Sequence, residues 1–520
     1  MRTLKLCRVP AGIALCLALF HARTVIAQPA PAPAPKPVEP APAPAQPAPT
    51  APVPPPQPAP APEKPEQPAP QPPQVEQEPE RPAPQPPPPA APAHAHAHEA
   101  ETPDLHPLAE PHLNPVPAES DSLPWYDSIE FRAFVDSYFT LNYNMPKPQT
   151  GENGKTRAYD TENGFALAWV GIDATYPAEP VGGTLSLRFG PSAQRIAGSC
   201  LEGTCDDEAV IGLANVKQAF AAWRPGGAGS AVQLDFGKFD TIYGAEVAES
   251  QDNINYTRGV VYWFAQPLFH TGLRMSAELG SLFTLKAMLV NGYNNSVDNN
   301  LGKDLGVQLG FQLPRGDYSG TLLTASLGYL VGPERNDYSV IDCPADQHFD
   351  PTETTGCAAG APATGESSSG AVDRASANWK GLRNLIDLVV TLTPTDALTV
   401  LLNADLGFER VRDTLDPQRF VQHMFWGGML GARYSFADPF AIAARVEYLS
   451  DKDGFFTGYA GNDIELVTAT LTLDYRPADY LILRLDNRLD WSSKQIFQES
   501  VRDASGILPT TTLGVVVTTN

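Results

Sequence analysis

Apolar and polar residues alternate along most of the chain, and the alternation is clearest in residues 383–408. In the first limb, apolar side chains share one parity and polar side chains the other, with Val389 as the exception. The two sets are Leu382, Ile386, Leu388, Val390 and Leu392 against Arg383, Asp387 and Thr391. A period of two predicts a β-strand. A turn signal at 394–396 and a second alternating limb at 398–408 complete a predicted hairpin. Each limb has the roughly nine to eleven residues that a tilted strand needs to cross a bilayer.

The same alternation recurs from Trp125 onward and predicts about sixteen strands. They are residues 129–143, 165–176, 183–190, 215–223, 231–238, 271–280, 282–291, 304–313, 320–330, 382–392, 397–409, 424–436, 440–449, 463–475, 480–491 and 511–519. An even number of strands is typical of single-chain bacterial membrane barrels. A soluble β-sandwich shows the same alternation, so the connections have to decide between the two architectures.

Short turns and long loops follow each other in strict succession along the chain. The short connections are residues 177–182, 225–229, 280–281, 314–319, 394–396, 437–439 and 477–479, and the long ones are residues 144–164, 191–214, 239–270, 292–303, 331–381, 410–423, 450–462 and 492–510. In outer-membrane barrels the short turns face the periplasm and the long loops face outside. The predicted fold is therefore all-β: a transmembrane antiparallel β-barrel of about sixteen strands over residues 125–520, with short periplasmic turns and long extracellular loops.

The first 124 residues have a different composition. Residues 1–27 combine a basic start, an apolar stretch and small residues before Gln28, which predicts a cleaved secretory signal peptide. Lipoprotein processing at Cys16 is disfavoured because Leu15 stands where a small residue is needed. Residues 28–124 are rich in Pro and Ala and predict a disordered periplasmic spacer. The run of His94, His96 and His98 within it is either a loose transition-metal site or low-complexity sequence with no ligand.

Charged residues of both signs occupy the parity that would face the barrel interior. They are Glu130, Arg132, Asp136, Lys217, Asp235, Arg274, Glu278, Lys286, Arg383, Asp387, Asp405, Arg433, Arg445, Glu447, Asp474, Arg484, Asp486, Arg488 and Asp490. Such a density of charge suits a water-filled lumen, which a barrel of this size has room for. The alternative is that the charges pair and only hold the wall together. No ion selectivity is predicted from the net charge of -23, because much of it lies in the loops and the spacer.

Residues 237–270 form the one long connection with a composition unlike that of a solvated loop, because aromatic residues and charges are interleaved in it. It is predicted to fold into the lumen and narrow it; the alternative is a cap on the rim. The candidates for lining or constricting a pore are Glu246, Glu249, Asp252, Arg258, Arg274, Arg433, Arg445, Glu447, Arg484, Asp486 and Arg488. Cys200 with Cys205, and Cys343 with Cys357, are predicted to form local disulfides rather than a metal site.

Five short segments carry a resemblance to a known family. They are GKFDTIYGAEV at 237–247, NYTRG at 255–259, FHTGLR at 269–274, NGYNN at 291–295 and RVEYLSDKDGF at 445–455. In this order they resemble the OmpL-like group of β-barrel porins of Gram-negative bacteria, over roughly residue 129 to the end of the sequence. The resemblance implies an outer-membrane barrel with diffusion-pore activity and no defined substrate.

The predicted function is that of an outer-membrane porin for passive diffusion of small hydrophilic solutes or ions, narrowed by the loop at residues 239–269. The alternative is an outer-membrane anchor whose Pro-rich arm tethers peptidoglycan or a periplasmic or inner-membrane partner. An enzyme is not predicted, since His270, His348 and His423 are accompanied by no nucleophile elbow. Outer-membrane lipid and small solutes are the expected partners, with no nucleic acid, cofactor or metal. Many such barrels trimerise, so a homotrimer stays open.

Overall fold

The computed structural model describes residues 125–146, 156–157, 163–197, 200–201, 204–205, 212–316, 320–344, 346–350, 357–363, 367–373, 379–412, 419–500 and 503–519. The predicted signal peptide and the Pro/Ala-rich segment, with His94, His96 and His98, lie outside the described residues.

Sixteen strands within the described residues close into one antiparallel barrel. In chain order they are β1 (Glu130–Asn142), β2 (Gly164–Tyr176), β3 (Val181–Phe189), β4 (Val216–Trp223), β5 (Val232–Asp240), β6 (Phe269–Leu279), β7 (Phe283–Val290), β8 (Asp304–Pro314), β9 (Thr321–Pro333), β10 (Leu382–Thr395), β11 (Leu398–Arg412), β12 (Phe420–Ala437), β13 (Phe440–Lys452), β14 (Ile464–Ala478), β15 (Leu481–Ser492) and β16 (Ile507–Thr518). Each strand pairs with its neighbour in sequence, and β16 closes the barrel on β1 in a register that runs from Phe134 opposite Thr518 to Asn142 opposite Thr510. The predicted strand number and the alternation of short and long connections are confirmed.

Several strands extend further toward the long loops than the sequence predicted. β12 begins at Phe420 rather than at residue 424, and β13 ends at Lys452 rather than at residue 449. The extension of β13 consists of Ser450, Asp451 and Lys452, so the apolar pattern there stops before the hydrogen-bonded ladder does. The long loops also contain short hairpins, which pair Tyr338–Asp342 with Ser369–Asp373 and Phe497–Glu499 with Asp503–Ser505.

Large apolar side chains cover the outward face of the barrel. Aromatic residues gather toward both ends of this face. At the short-turn end, Phe440 stacks between Phe436 and Tyr475 with ring centroids 6.3 and 4.7 Å apart, and toward the loop end Trp426 and Tyr448 are 4.7 Å apart. An apolar band between two aromatic girdles is the outer surface expected of a membrane barrel. In the described part of the chain, no helix is both long and apolar enough to span a membrane.

The inward face is charged over much of its area but apolar on one side. A buried apolar cluster joins wall residues of β9 to β14 to residues of the connection between β5 and β6. Its members include Leu330, Leu385, Val389, Leu401, Phe425, Met429, Leu449 and Leu466 from the wall, and Tyr243, Val260 and Val261 from the connection. The hydrophobic core of the molecule therefore lies inside the barrel, which the alternation alone did not predict.

Candidate functional site

Residues 241–268, which connect β5 to β6, lie inside the barrel and are named the internal loop here. Almost every residue of this loop is buried, although the loop carries charged and polar side chains throughout. Its side chains and amides bond to residues near the middle of strands on the far side, such as Arg445 of β13 and Asp486 of β15. The prediction that this connection folds into the lumen is confirmed, and the rim-cap alternative is wrong.

The first residues of the internal loop pack on a part of the wall where two glycines leave room for a side chain. The ring of Tyr243 lies over Gly306 of β8 and Gly328 of β9, where a Cβ would come within 2.5 Å of the tyrosine. The Tyr243 hydroxyl donates to the Tyr329 carbonyl at 2.9 Å. Any larger residue at either glycine would push the ring away. Gly306 and Gly328 therefore form the surface on which the Tyr243 ring packs.

The next amides of the loop bond to polar residues of β10 and β11. Gly244 donates to the Asp387 carboxylate at 3.1 Å, and Ala245 donates to the Asn403 side-chain oxygen at 3.2 Å. Asn403 in turn donates to Asp387 and to Asp405, both at 3.1 Å. Asp387 and Asp405 are direct cross-strand partners, and their carboxyl groups lie within hydrogen-bonding reach of each other. We name Asp387, Asn403 and Asp405 the acidic wall.

Glu246 crosses the lumen to β13. Its carboxylate is 2.5 Å from Arg445 and accepts the Gly259 amide at 2.7 Å, while Arg445 also contacts Glu447 at 3.1 Å. All three side chains are fully buried. Burial raises the pKa of Glu246 to about 7; the Arg445 cation opposes the shift and the Glu447 carboxylate adds to it. Glu246, Arg445 and Glu447 thus form one cluster that joins the loop to the wall.

Glu249 faces the opposite side of the barrel. Its carboxylate is 2.7 Å from Arg188 of β3 and 3.0 Å from Lys217 of β4. Burial acts to raise the pKa of Glu249, but the Lys217 and Arg188 cations outweigh burial and hold this pKa well below its usual range. Arg188 was not among the sequence candidates, although its inward parity in a predicted strand was a signal that could have found it.

The second half of the internal loop is held through its backbone. Asp486 accepts the amides of Tyr256 and Thr257 and the Thr257 hydroxyl, at 2.8 to 3.3 Å. Guanidinium groups donate to loop carbonyls: Arg445 to Thr257 at 2.6 Å, Arg484 to Ser250 at 2.5 Å, and Arg488 to Arg258 at 2.5 Å. We name Arg445, Glu447, Arg484, Asp486, Arg488 and Asp490, all on β13 and β15, the mixed-charge wall.

Asp136 of β1 anchors the loop from a third direction. Its two carboxylate oxygens accept the hydroxyls of Ser250 and Tyr256, each at 2.6 Å. The Tyr256 ring lies on Gly514 of β16, where a Cβ would come within 2.2 Å of it. Asp136 carried the predicted inward parity, but its role depends on a contact 120 residues away in sequence, which no local pattern reveals.

The remaining candidates lie apart from one another. Asp252 pairs with Arg132 at 2.8 Å and is partly exposed, and Arg258 bonds to the loop's own carbonyls at Ala248 and Tyr256. Arg274 pairs with Asp235 at 2.8 Å on the β5 and β6 wall. Asp252, Arg258 and Arg274 therefore bond to different partners, and these contacts do not bring the three residues together in one site.

Arg433 belongs to a cluster near the short-turn end. Arg433, Arg476 and Arg484 approach the single carboxylate of Asp474 at 3.4, 3.2 and 3.0 Å. Three guanidinium groups on one carboxylate leave a local excess of positive charge. Arg476 was not among the sequence candidates.

A cavity of about 40 Å³ lies between the internal loop and the β5 to β7 wall, with room for a few water molecules. Its lining includes Asp240, Thr241, Glu246, Arg274 and Lys286. Polar and charged groups of both signs therefore surround this cavity.

The predicted cysteine pairs lie in long loops. Cys343 and Cys357 form a disulfide with an S–S distance of 2.06 Å. The backbones of Cys200 and Cys205 pair in a short hairpin, but their side chains lie outside the described part of the structure.

A family model with the description "Putative beta-barrel porin-2, OmpL-like" matches residues 128–518. No curated protein sequence matches the chain.

The chain also matches solved structures, three of which are described here. The trimer form of in-vitro folded OmpT of Vibrio cholerae is 11% identical, with a TM-score of 0.44 over 75% of this chain and 98% of that chain. The outer membrane channel DcaP of Acinetobacter baumannii is 11% identical, with a TM-score of 0.42 over 75% and 96% of the two chains. The anion-selective porin from Comamonas acidovorans is 13% identical, with a TM-score of 0.42 over 75% and 99%.

Proposed function

Because the chain belongs to the family described as "Putative beta-barrel porin-2, OmpL-like", we propose that it forms a narrow water-filled channel in the outer membrane of a Gram-negative bacterium. Small hydrophilic solutes or ions cross it by passive diffusion. The internal loop sets the width of the channel, and the charged residues that bond the loop to the wall keep it in place.

The observation that carries this proposal is the internal loop, a charged and aromatic segment held at the middle of a closed barrel. Its bonds reach β1, β3 and β4 on one side and β8 to β11 and β13 to β15 on the other. Since the loop contacts most of the circumference, the route beside it is narrow. We therefore expect a small single-channel conductance and exclusion of large solutes.

Single-channel recording of the refolded mature chain in planar bilayers tests this proposal. Discrete, stable openings are expected. A matched variant replaces residues 247–264 with a short Gly-Ser linker, which removes most of the internal loop and leaves the strands intact. This variant is expected to conduct several times better than the parent chain. If the properly refolded parent chain never conducts, the pore proposal is wrong. If the two proteins conduct equally, the internal loop does not set the width of the channel.

The constriction candidates have different parts in this proposal. Glu246, Glu249, Arg445, Glu447, Arg484, Asp486 and Arg488 hold the loop, because each is buried in an ion pair or bonded to the loop's backbone. Asp252, Arg433 and Arg476 are more exposed and meet solutes near the short-turn end. Reversal potentials of an Asp252→Asn variant test this division, which predicts a change in ion preference without a change in folding.

A second function, in which the barrel anchors a Pro-rich arm, rests on the composition of residues 28–124. In this version the arm binds peptidoglycan or a periplasmic or inner-membrane protein. Deletion of residues 28–124 separates the two functions. Unchanged conductance with a changed envelope phenotype supports a tether added to a pore, and an unchanged phenotype removes the tether. A homotrimer and the lack of enzymatic activity both remain predictions; crosslinking in detergent tests the former.

A further inference from the structure

Three guanidinium groups converge on a single carboxylate at the short-turn end of the lumen. Arg433, Arg476 and Arg484 approach Asp474 at 3.4, 3.2 and 3.0 Å. Among the described residues, Asp474 is the only carboxylate that forms an ion pair with any of the three. One carboxylate compensates one positive charge, so this arginine cluster carries more positive charge than Asp474 can balance.

The strand between two members of the cluster leaves room for them to meet. Arg433 lies on β12 and Asp474 on β14, so β13 separates them. On β13, Ala443 is the cross-strand partner of Arg433, and Ala441 is the cross-strand partner of Asp474. Both alanines are buried. Because neither has a long side chain, Arg433 can reach across β13 to Asp474.

Two of the guanidinium groups keep buried N–H groups that have no acceptor. Within the described residues, neither Nε of Arg433 nor Nη2 of Arg484 donates a hydrogen bond. Other nitrogens of the same groups are bonded: Arg433 donates to the Ser435 hydroxyl at 2.9 Å, and Arg484 to the Ser250 carbonyl at 2.5 Å. A buried charged donor without an acceptor is costly. A negatively charged acceptor beside Asp474 would remove this cost.

One further carboxylate is joined to the cluster through the internal loop. The Ser250 carbonyl accepts from Arg484, and the Ser250 hydroxyl donates to Asp136 at 2.6 Å. If Asp136 is counted with Asp474, three guanidinium groups still face two carboxylates. The cluster therefore keeps an excess of positive charge on either count.

We propose that Arg433, Arg476 and Arg484 bind a small divalent oxyanion of the phosphate or sulfate type beside Asp474. Guanidinium groups match such anions in geometry as well as in charge. A tetrahedral oxyanion presents acceptor oxygens in several directions, so it can bond to arginines that come from β12, β14 and β15. The side chains of Arg433 and Arg476 are 11% and 20% exposed, which leaves the cluster accessible from the lumen.

The inference deepens the proposed channel, and its consequence for transport rests on that function. In outer-membrane barrels the short turns face the periplasm, so the site would lie where a solute leaves the lumen. Charged groups along a pore discriminate among solutes. We therefore expect solutes with a phosphate or sulfate group to be favoured, although the chain has a net charge of -23.

Calorimetric titration of the refolded full chain in detergent with sodium phosphate, and separately with sodium sulfate, tests the site. Sodium chloride at equal ionic strength is the reference for charge screening. Wild type should bind both oxyanions with heat that chloride does not give. Arg433→Gln should weaken phosphate binding at least about tenfold, because a bond to a charged donor is lost.

Arg315→Gln is the matched control for this variant. It removes the same charge at the same end of the barrel, where Arg315 pairs with the exposed Asp396. It should bind phosphate as wild type does. Should Arg433→Gln fail to refold, Arg476→Gln gives the same comparison, since it also leaves Asp474 with two guanidinium partners.

Three results would overturn the proposal. If wild type gives no heat with phosphate beyond that with chloride, the cluster does not bind an oxyanion. If Arg433→Gln and Arg476→Gln bind phosphate as tightly as wild type, the anion binds elsewhere. If Arg315→Gln loses as much affinity as Arg433→Gln, only the overall charge of the protein matters.

Bilayer recordings separate this inference from the channel itself. Phosphate binding without single-channel openings would support the site and contradict the pore. Openings without phosphate binding would support the pore and contradict the site. When both are present, reversal potentials under a phosphate gradient should show a weaker preference for phosphate in Arg433→Gln than in wild type or Arg315→Gln.

Discussion

Two walls of the barrel interior hold the same loop by different means. On the mixed-charge wall, carboxylates and guanidinium groups pair with each other or with the backbone of the internal loop. On the acidic wall, Asp387 and Asp405 face each other directly, and neither makes an ion pair with a basic side chain. The loop is held there by two amides and by the ring of Tyr243 on two glycines.

The paired charges of the mixed-charge wall stabilise the fold, whereas the two facing carboxyl groups of the acidic wall destabilise it. Breaking a buried ion pair leaves an uncompensated charge, which is strongly destabilising. Two like charges directly opposite each other in a sheet are unfavourable from the start. Charge removal should therefore have opposite effects on the two walls, and the variants below test this comparison from the largest expected effect to the smallest.

Arg445→Met should give the largest loss of stability. Arg445 contacts Glu246 and Glu447 and donates to the Thr257 carbonyl, and its side chain is fully buried. The substitution leaves two carboxylates unpaired, so we expect a loss of about 3 to 5 kcal/mol in the free energy of unfolding. Denaturant titration of the refolded barrel measures it. Arg315→Met, which breaks an ion pair with the exposed Asp396, is the control and should change stability by less than about 1 kcal/mol. Equal losses in the two variants would contradict the role of the mixed-charge wall.

Gly328→Ala should loosen the loop where packing rather than charge holds it. The new Cβ would meet the Tyr243 ring at 2.5 Å, so the ring has to move, and we expect a loss of about 1 to 3 kcal/mol. Gly428→Ala is the control, because its nearest neighbour would be the Asn403 carbonyl at an ordinary 3.5 Å. Adding Tyr243→Leu should restore part of the stability lost in Gly328→Ala. Equal stability of the two glycine variants would mean that the Tyr243 ring does not pack on Gly328.

The stability of the protein should depend on pH through Glu246, the carboxylate of the internal loop that contacts Arg445 on the mixed-charge wall. The pKa of Glu246 is raised from 4.5 to about 7, first by burial. The folded state therefore holds a proton that the unfolded state has lost between these values, and stability falls as pH rises through this window. Between pH 5 and 7 wild type should lose about 2 kcal/mol relative to Glu246→Gln. Parallel stability profiles for the two proteins would show that Glu246 stays ionised throughout.

The sequence predicted the barrel because membrane and lumen impose opposite chemistry on alternate residues. It also predicted that the internal loop lies inside, since residues such as Tyr243 and Tyr256 need something to pack against. It did not predict the hydrogen bonds and ion pairs that hold this loop, because contacts such as Tyr256 with Asp136 join residues that are far apart in sequence. The pairing of Asp387 with Asp405 was not accessible either: a turn at 394–396 would place Asp387 opposite Asn403, whereas a register shift between Leu392 and Thr395 places it opposite Asp405. The disulfide predicted between Cys200 and Cys205 stays a prediction.

Asp405→Asn should stabilise the barrel, the opposite of what charge removal does on the other wall. Asparagine has the shape of aspartate, replaces one of two facing carboxyl groups that no basic side chain compensates, and offers an amide donor to Asp387. We expect a gain of about 1 kcal/mol. Asp486→Asn is the isosteric control on β15, where the carboxylate accepts two amides and two hydroxyls, so it should lose about 1 to 3 kcal/mol. Opposite signs for these two variants in denaturant titrations would establish the comparison. A loss in both variants would contradict the comparison, because the two carboxyl groups of the acidic wall would then stabilise the barrel by their contact with each other.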